Sequence, residues 1–321
     1  MVDGLVEGDR ERLARLAYRY YLDELTQEQL GREFGLSRPK VQRLLEQARQ
    51  AGVVEIRVVS PPGLRLETEA RLRKTFGLAD AIVTPARTDP ASQREAVARE
   101  AARYLEGRLR PGAVVAVGMG RNTSEIARFF RPGRRLDVTF ASAMGGSPSV
   151  DAPTNPNEIC RALAVACGGN AESLYAPAYV ESIEMRDRLQ HQDAVAHSLG
   201  MAAGADIALV GIGGTDDECT TVRSGCCTLG EISRLRARGA VGDVLCSYFD
   251  VNGRSITSEL NGRFVGLTLA QLRRIGTVIA VASEVDKGAA LLGAVRTGVI
   301  DVLMIDEHTA LEVLGAAEPA R

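Results

Sequence analysis

The chain has 321 residues, 45% of them hydrophobic, with 39 Lys and Arg against 41 Asp and Glu for a net charge of −2. The length exceeds one typical domain and the apolar fraction supports a sizeable core, whereas the near-neutral charge excludes a nonspecific nucleic-acid coat, so that any DNA contact must be local. No apolar leader and no run of about 18 apolar residues occurs, which supports neither secretion nor membrane insertion and makes the cytoplasm the expected compartment.

The first informative stretch is TQEQLGREFGLSRPKVQRLLEQARQA, residues 26 to 51. Thr26 and Ser37 are N-cap candidates, each opening a helical pattern. In the first helix Leu30 and Phe34 share a face; Gly35 then supplies a tight turn, and Pro39 falls in the tolerated first turn of the second helix. That second helix is expected to bury Val41, Leu44, Leu45 and Ala48 and to turn Arg38, Lys40, Gln42, Arg43 and Arg49 outward. The pattern predicts a helix-turn-helix reading double-stranded operator DNA: Arg38, Lys40 and Gln42 at base edges, Gln27 and Arg43 at phosphates, Ser37 at the helix start. Residues 1–60 hold ten basic and ten acidic residues, so the positive charge is confined to the groove side. VVEIRVV, at 53–59, reads as a short strand, a wing or a hairpin partner.

Ser60-Pro61-Pro62-Gly63 is the expected boundary, since two prolines stiffen the chain and remove donors. Residues 64–76 read as a charged helix that extends the linker, docks on a partner subunit or stands solvated. The predicted organisation is a DNA-binding domain over 1–60, all-α with a wing, a linker or connecting helix over 61–76, and an effector and oligomerisation domain over 77–321.

Apolar runs follow at 81–83, 113–118, 137–142, 206–213, 278–283 and 301–306, with helical patterns at 91–109, 156–166, 228–237 and 286–296 between them. Short continuous apolar strands alternating with helices predict a doubly wound α/β domain with a parallel sheet covered on both faces. Ligands collect beyond the carboxyl ends of such strands. Gly118, Gly120, Arg121, Asn122, Thr123 and Ser124 follow one strand and open a helix, so they form either a phosphate cradle or merely a tight turn. The loop lacks the Walker and dinucleotide patterns, and no cofactor is expected. Gly145-Gly146 and Gly213 end other strands and are candidate walls. Lys287, one of only three lysines with Lys40 and Lys74, is the candidate phosphate clamp, and Glu284 near it is a candidate for the sugar. Asp243 and Asp250 are candidates for sugar hydroxyls, Asp250 equally a turn residue before Asn252-Gly253.

Six cysteines form no CxxC pair, and with three histidines they give no zinc pattern. Buried reduced thiols are the expectation; Cys219, Cys226 and Cys227 leave open an oxidant- or metal-responsive cluster.

In this order the segments LTQEQLGREFGLSRPKVQRLLEQARQAGVVEI, VAVGMGRNTSEIA, MGGS, ALVGIGG, GAVGDVLCSYFDVNG and EVDKGAALLGAVRTGVIDVLMIDEHTA resemble the SorC family of bacterial sugar-responsive transcriptional regulators. The resemblance spans nearly the whole chain. It implies an effector domain similar to ribose-phosphate isomerase and glucosamine-phosphate deaminase folds, one that senses phosphorylated sugars without converting them, in a protein that assembles as a homo-oligomer, usually a tetramer. By position it places Arg121, Asn122, Thr123 and Lys287 at the phosphate and Gly145, Gly146, Asp243 and Asp250 along the sugar. Met144 departs from the family where relatives carry a charged contact; no Schiff base can form there, and effector binding is expected to be noncovalent. An active isomerase or deaminase would instead need Glu284, Asp243 or Asp250 as its base, and no compact acid/base set stands out.

Overall fold

The computed structural model describes residues 7–55, 65–147, 152–284 and 287–317. Residues 56–59 of the expected strand, the expected boundary at 60–63 and Asp286 lie outside the described residues. The chain divides into two compact units, Met1–Ser60 and Pro61–Arg321.

The first unit holds helices α1 (Glu7–Tyr21), α2 (Gln27–Phe34) and α3 (Arg38–Gln50). Leu13, Leu16 and Ala17 of α1 meet Leu30, Val41, Leu45 and Ala48 in its core. Thr26 and Gln29 form a reciprocal capping box at α2, and Gly35 ends that helix at φ 66°. The expected wing is corrected in its described part: Val53 and Val54 sit in a turn that packs on the three helices, and Glu55 is not in a strand. Gly31 permits the tight passage from α2 to α3, because a Cβ there would lie 2.7 Å from the Leu36 carbonyl oxygen. Gly31→Ala is therefore expected to cost about 1–3 kcal/mol in this unit, read as a lower melting midpoint by circular dichroism.

The second unit carries helices α4 (Leu66–Phe76), α5 (Pro90–Arg108), α6 (Arg121–Phe129), α7 (Pro156–Cys167), α8 (Ile183–Gln190), α9 (Asp193–Ala203), α10 (Thr220–Arg223), α11 (Leu229–Ala237), α12 (Glu259–Gly262), α13 (Leu269–Leu272), α14 (Gly288–Arg296) and α15 (Glu307–Ala317). Its strands are β1 (Asp80–Thr84), β2 (Ala113–Val117), β3 (Val138–Ser142), β4 (Asn170–Glu172), β5 (Ile207–Gly211), β6 (Gly213–Gly214), β7 (Gly242–Val244), β8 (Ser247–Phe249), β9 (Thr277–Val281) and β10 (Val302–Asp306). Seven strands form one sheet in the order β1-β10-β9-β5-β2-β3-β4, with every neighbouring pair parallel.

Alternate residues of each inner strand feed opposite faces of this sheet. Val115 and Val117 join Val97, Ile126 and Leu163 on one side, while Ala116 joins Leu291 and Val313 on the other. Burial on both faces removes any need for polar alternation, which is why AVVAV is a continuous apolar run. The helix at α4 is not the expected linker: Leu72 is fully buried and the Glu69 carboxylate accepts the Val83 amide at 3.0 Å, so α4 belongs to this unit. A second, antiparallel sheet, β6-β7-β8, was not expected from the sequence.

Candidate functional site

Strands β9, β5 and β2 lie side by side in the middle of the large sheet, and the residues beyond their carboxyl ends share one cleft. Met119, Gly120, Arg121 and Asn122 enter from the β2–α6 turn, Gly211, Ile212 and Gly213 from the end of β5, and Glu284 and Lys287 from beyond β9. Asp243, Leu245 and Cys246 close it from the small sheet, with Met144, Thr220 and Thr221 completing the walls. From β2 the sheet runs to β3 and β4 on one side and to β5, β9, β10 and β1 on the other, the switch point at which open α/β sheets hold ligands. The enclosed free space is about 40 Å³, so a ligand larger than water reaches into the open mouth of the cleft or moves side chains that now fill it.

At one end those side chains converge on a single carboxylate. Glu284 Oε2 lies 3.0 Å from Lys287 Nζ and accepts from Asn122 Nδ2 at 3.1 Å. Its other oxygen stands 3.5 Å from Arg121 and 3.7 Å from Arg94 and has no hydrogen bond among the described residues. Burial alone would raise this carboxyl, but Lys287, Arg121 and Asn122 outweigh it and hold its pKa at about 2. Lys287 also donates to the Ile212 carbonyl at 2.8 Å, and Ser283 fixes Asn122 through a 2.6 Å bond to its Oδ1.

Asp243 stands at the other end, 6% exposed, and burial pushes its carboxyl up to about 6 against the opposing pull of the Cys246 amide and Lys287. One oxygen caps the β7–β8 hairpin by accepting the Cys246 N–H at 2.8 Å. The other fills space that only glycine leaves open, since a Cβ on Gly213 would lie 2.0 Å from it. Leu245 and Cys246 make the hairpin's two-residue turn at φ 45° and 55°, a conformation that non-glycine residues adopt at a cost.

Of the effector candidates, the cleft brings together Gly120, Arg121, Asn122, Gly213, Asp243, Glu284 and Lys287. Glu284 was expected at the sugar but sits among the cations. The remaining candidates do not line the cleft. Gly118 packs beneath Leu245; Thr123 is fully buried with its hydroxyl on the Gly120 carbonyl; the Ser124 amide closes the first turn of α6 on the same oxygen. The Gly145 amide donates to the Val265 carbonyl and Gly146 exchanges bonds with Ala176 and Ala178, while a Cβ on Gly145 would run into the Pro177 carbonyl. Asp250 is the turn residue: its Oδ1 accepts the Asn252 and Arg254 amides. Sequence reasoning missed Arg94, Thr220, Thr221, Leu245 and Cys246, and only a Thr-Thr pair after the GIGGT loop could have hinted at any of them.

All six cysteines are free and buried. Burial raises Cys219 and Cys226 and takes Cys227 to about 12, which removes the thiolate that oxidant or metal chemistry requires. No metal-holding cluster of His, Cys, Asp or Glu occurs among the described residues, and no described helix is long and apolar enough to cross a membrane.

In the first unit α3 exposes Arg38, Lys40, Gln42 and Arg43, and none of these cations is ion-paired among the described residues. By contrast Arg32 is held by Glu28 and Arg49 by Glu46. Gln27 is half-buried in the first turn of α2, and Ser37 precedes α3 in extended backbone without a side-chain capping bond.

The family model described as "Putative sugar-binding domain" matches residues 60–315. The transcriptional regulator LsrR of Klebsiella pneumoniae subsp. pneumoniae is 34% identical over 322 residues, covering 98% of this chain and 96% of that protein. The regulator of the same name in Escherichia coli K12 is 31% identical over 313 residues, 95% of each. A sugar-binding domain of a transcriptional repressor from Vibrio fischeri superposes with a TM-score of 0.74 at 35% identity, over 79% of this chain and 100% of that one. The full-length sorbitol operon regulator SorC from Klebsiella pneumoniae, at 24% identity, has the same fold over 96% of this chain and 100% of its own, with a TM-score of 0.74. With relatives above 30% identity along nearly its whole length and a sugar-binding domain over residues 60–315, the chain belongs to the SorC family of transcriptional regulators.

Proposed function

We propose that residues 1–60 bind operator DNA as a helix-turn-helix and that a phosphorylated sugar, held noncovalently in the cleft of residues 77–321, controls that binding. The observation that carries the phosphate is a charge imbalance. Among the described residues Arg94, Arg121 and Lys287 are ion-paired only with Glu284, and with Asp243 farther along the cleft offsetting Lys287 in part, positive charge remains in excess at this end, which suits a phosphomonoester. The first turn of α6 adds backbone N–H groups, because Gly120 at its N-terminus has no side chain to cap them. The relatives' sugar-binding domain supports the rest of the ligand.

The protein holds this ligand without converting it, on a fold akin to the sugar-phosphate isomerases and deaminases. Glu284, the nearest base candidate, is locked among cations with its pKa at about 2 and is a poor proton acceptor at neutral pH. Two copies acting in the cytoplasm present paired α3 helices to a palindromic site, and the ligand acts by favouring one arrangement of the subunits over the other.

Thermal-shift screening at fixed salt tests the ligand: at about 100 times its Kd a phosphosugar adds about 2.7 kcal/mol of stability. Equal shifts from the unphosphorylated sugars would overturn the phosphate. On the DNA side, Arg38→Ala and Gln42→Ala are each expected to cost about 1–3 kcal/mol and to relax preference at one base position. Arg43→Ala should weaken all sequences evenly and reduce the slope of log K against log salt by about 1, measured by fluorescence anisotropy.

A further inference from the structure

Two tyrosine hydroxyls stand buried behind the Asp243 end of the cleft. Tyr248 is 1% exposed, and neither its oxygen nor that of Tyr179 has a hydrogen-bond partner among the described residues. Their positions follow from strand register. Asp243 pairs with Gly213 on one side and with Tyr248 on the other, so the three residues share one face of the small sheet. The Tyr248 hydroxyl faces Thr221 and the Tyr179 hydroxyl faces the Cys246 thiol without hydrogen-bond geometry, and the Asp243 charge reaches both phenols. Thr221, Cys246 and Asp243 are themselves cleft walls. Tyr179 is anchored by its ring against Phe264, with centroids 5.5 Å apart, so its hydroxyl is held in place.

A buried hydroxyl without a partner is costly, and two of them beside a buried carboxyl form a polar pocket prepared for hydroxyl groups. We infer that Tyr179 and Tyr248, together with Asp243, read the hydroxyls of the ligand at the end remote from its phosphate and so determine which sugar is accepted. This rests on the phosphosugar reading of the same cleft. A ligand hydroxyl can donate to the Asp243 carboxylate while accepting from a tyrosine, a pairing that a deoxy carbon cannot reproduce. Thr221 and Cys246 stand between the cleft and the hydroxyls, and the inference requires that the bound sugar move them aside.

The experiment measures calorimetric affinities of wild type, Tyr179→Phe, Tyr248→Phe and the double variant for pentose and hexose phosphates, their deoxy counterparts and inorganic phosphate. For the tightest hydroxylated sugar phosphate each Phe variant is expected to lose about tenfold or more, while inorganic phosphate and the matching deoxy sugar phosphate bind as to wild type. Wild-type affinity of the Phe variants for every probe would overturn the inference, and would mean that the hydroxyls serve only internal water. Melting of the unliganded variants separates a structural role: the inference expects an unchanged or higher midpoint, since an unpaired hydroxyl has been removed, whereas lower midpoints with unaltered discrimination count against it. If wild type binds no sugar phosphate more tightly than the free sugar, the phosphosugar reading fails and this inference with it.

Discussion

Lys287→Ala is expected to erase the phosphosugar-induced rise in melting temperature and to weaken phosphosugar binding by about 2–5 kcal/mol, roughly thirtyfold or more. The Lys287 side chain is 13% exposed and its ammonium is oriented by the Ile212 carbonyl, so little ordering remains to be done when an anion arrives. Its removal leaves Glu284 without its nearest cation and Asp243 without a compensating charge, so the unliganded protein should melt lower as well. Arginine is a poor substitute, because a planar guanidinium does not fit the place of a compact ammonium bonded to one carbonyl. Calorimetry separates the two effects, and unchanged phosphosugar affinity in the alanine variant would remove the anion site from this end of the cleft.

Glu284→Gln should move stability and binding in opposite directions. The carboxylate offsets three buried or half-buried cations, and a pKa held at about 2 rather than 4.5 corresponds to about 3 kcal/mol of stability at neutral pH. The amide forfeits that contribution, yet it also removes the negative charge that a phosphate meets on entering, so phosphosugar affinity should rise by about tenfold. A pH series gives an independent check. Because its folded pKa is lowered, Glu284 stabilises fully above pH 4.5 and loses its effect as pH falls toward 2. Asp243, raised from 3.8 to about 6, works the other way: its contribution is complete below 3.8 and is lost as pH rises through 6. The glutamine variant should therefore lose much of the acid limb below 4.5 and keep the slope between 3.8 and 6. A variant that binds phosphosugars more weakly would make Glu284 a direct ligand contact instead.

The parts of the fold that were legible in sequence are those in which one local pattern decides the outcome. Runs such as AVVAV and TVIAV sit in a parallel sheet buried on both faces, so their apolar continuity marks them as strands. Helix α1 carried an equally plain signal in the spacing of Leu13, Leu16 and Ala17, which the reading passed over. The small sheet was not legible. Gly213-Gly214, Gly242–Val244 and Ser247–Phe249 are too short for periodicity, and Leu245-Cys246 lacks the Asn or Gly that announces such a turn. In the cleft, Lys287 and the Gly120–Asn122 turn could be read because a strand end localises ligand contacts. Arg94 could not, since only the tertiary fold carries α5 to Glu284. Gly145 and Gly146 show the opposite error, glycines that open room for the Pro177 backbone and the Asn155 side chain rather than for a ligand.

The left-handed Leu245-Cys246 turn has a bearing on how this protein could be engineered. Glycine at either position would relieve backbone cost, but Leu245 and Cys246 are buried in the core, so the cavity left behind would cost more than the strain it removes. Both side chains are also walls of the cleft, so such a variant would be weaker and roomier at once. A biosensor made from this protein should therefore take its added stability from elsewhere in the fold and leave the strained turn as it is.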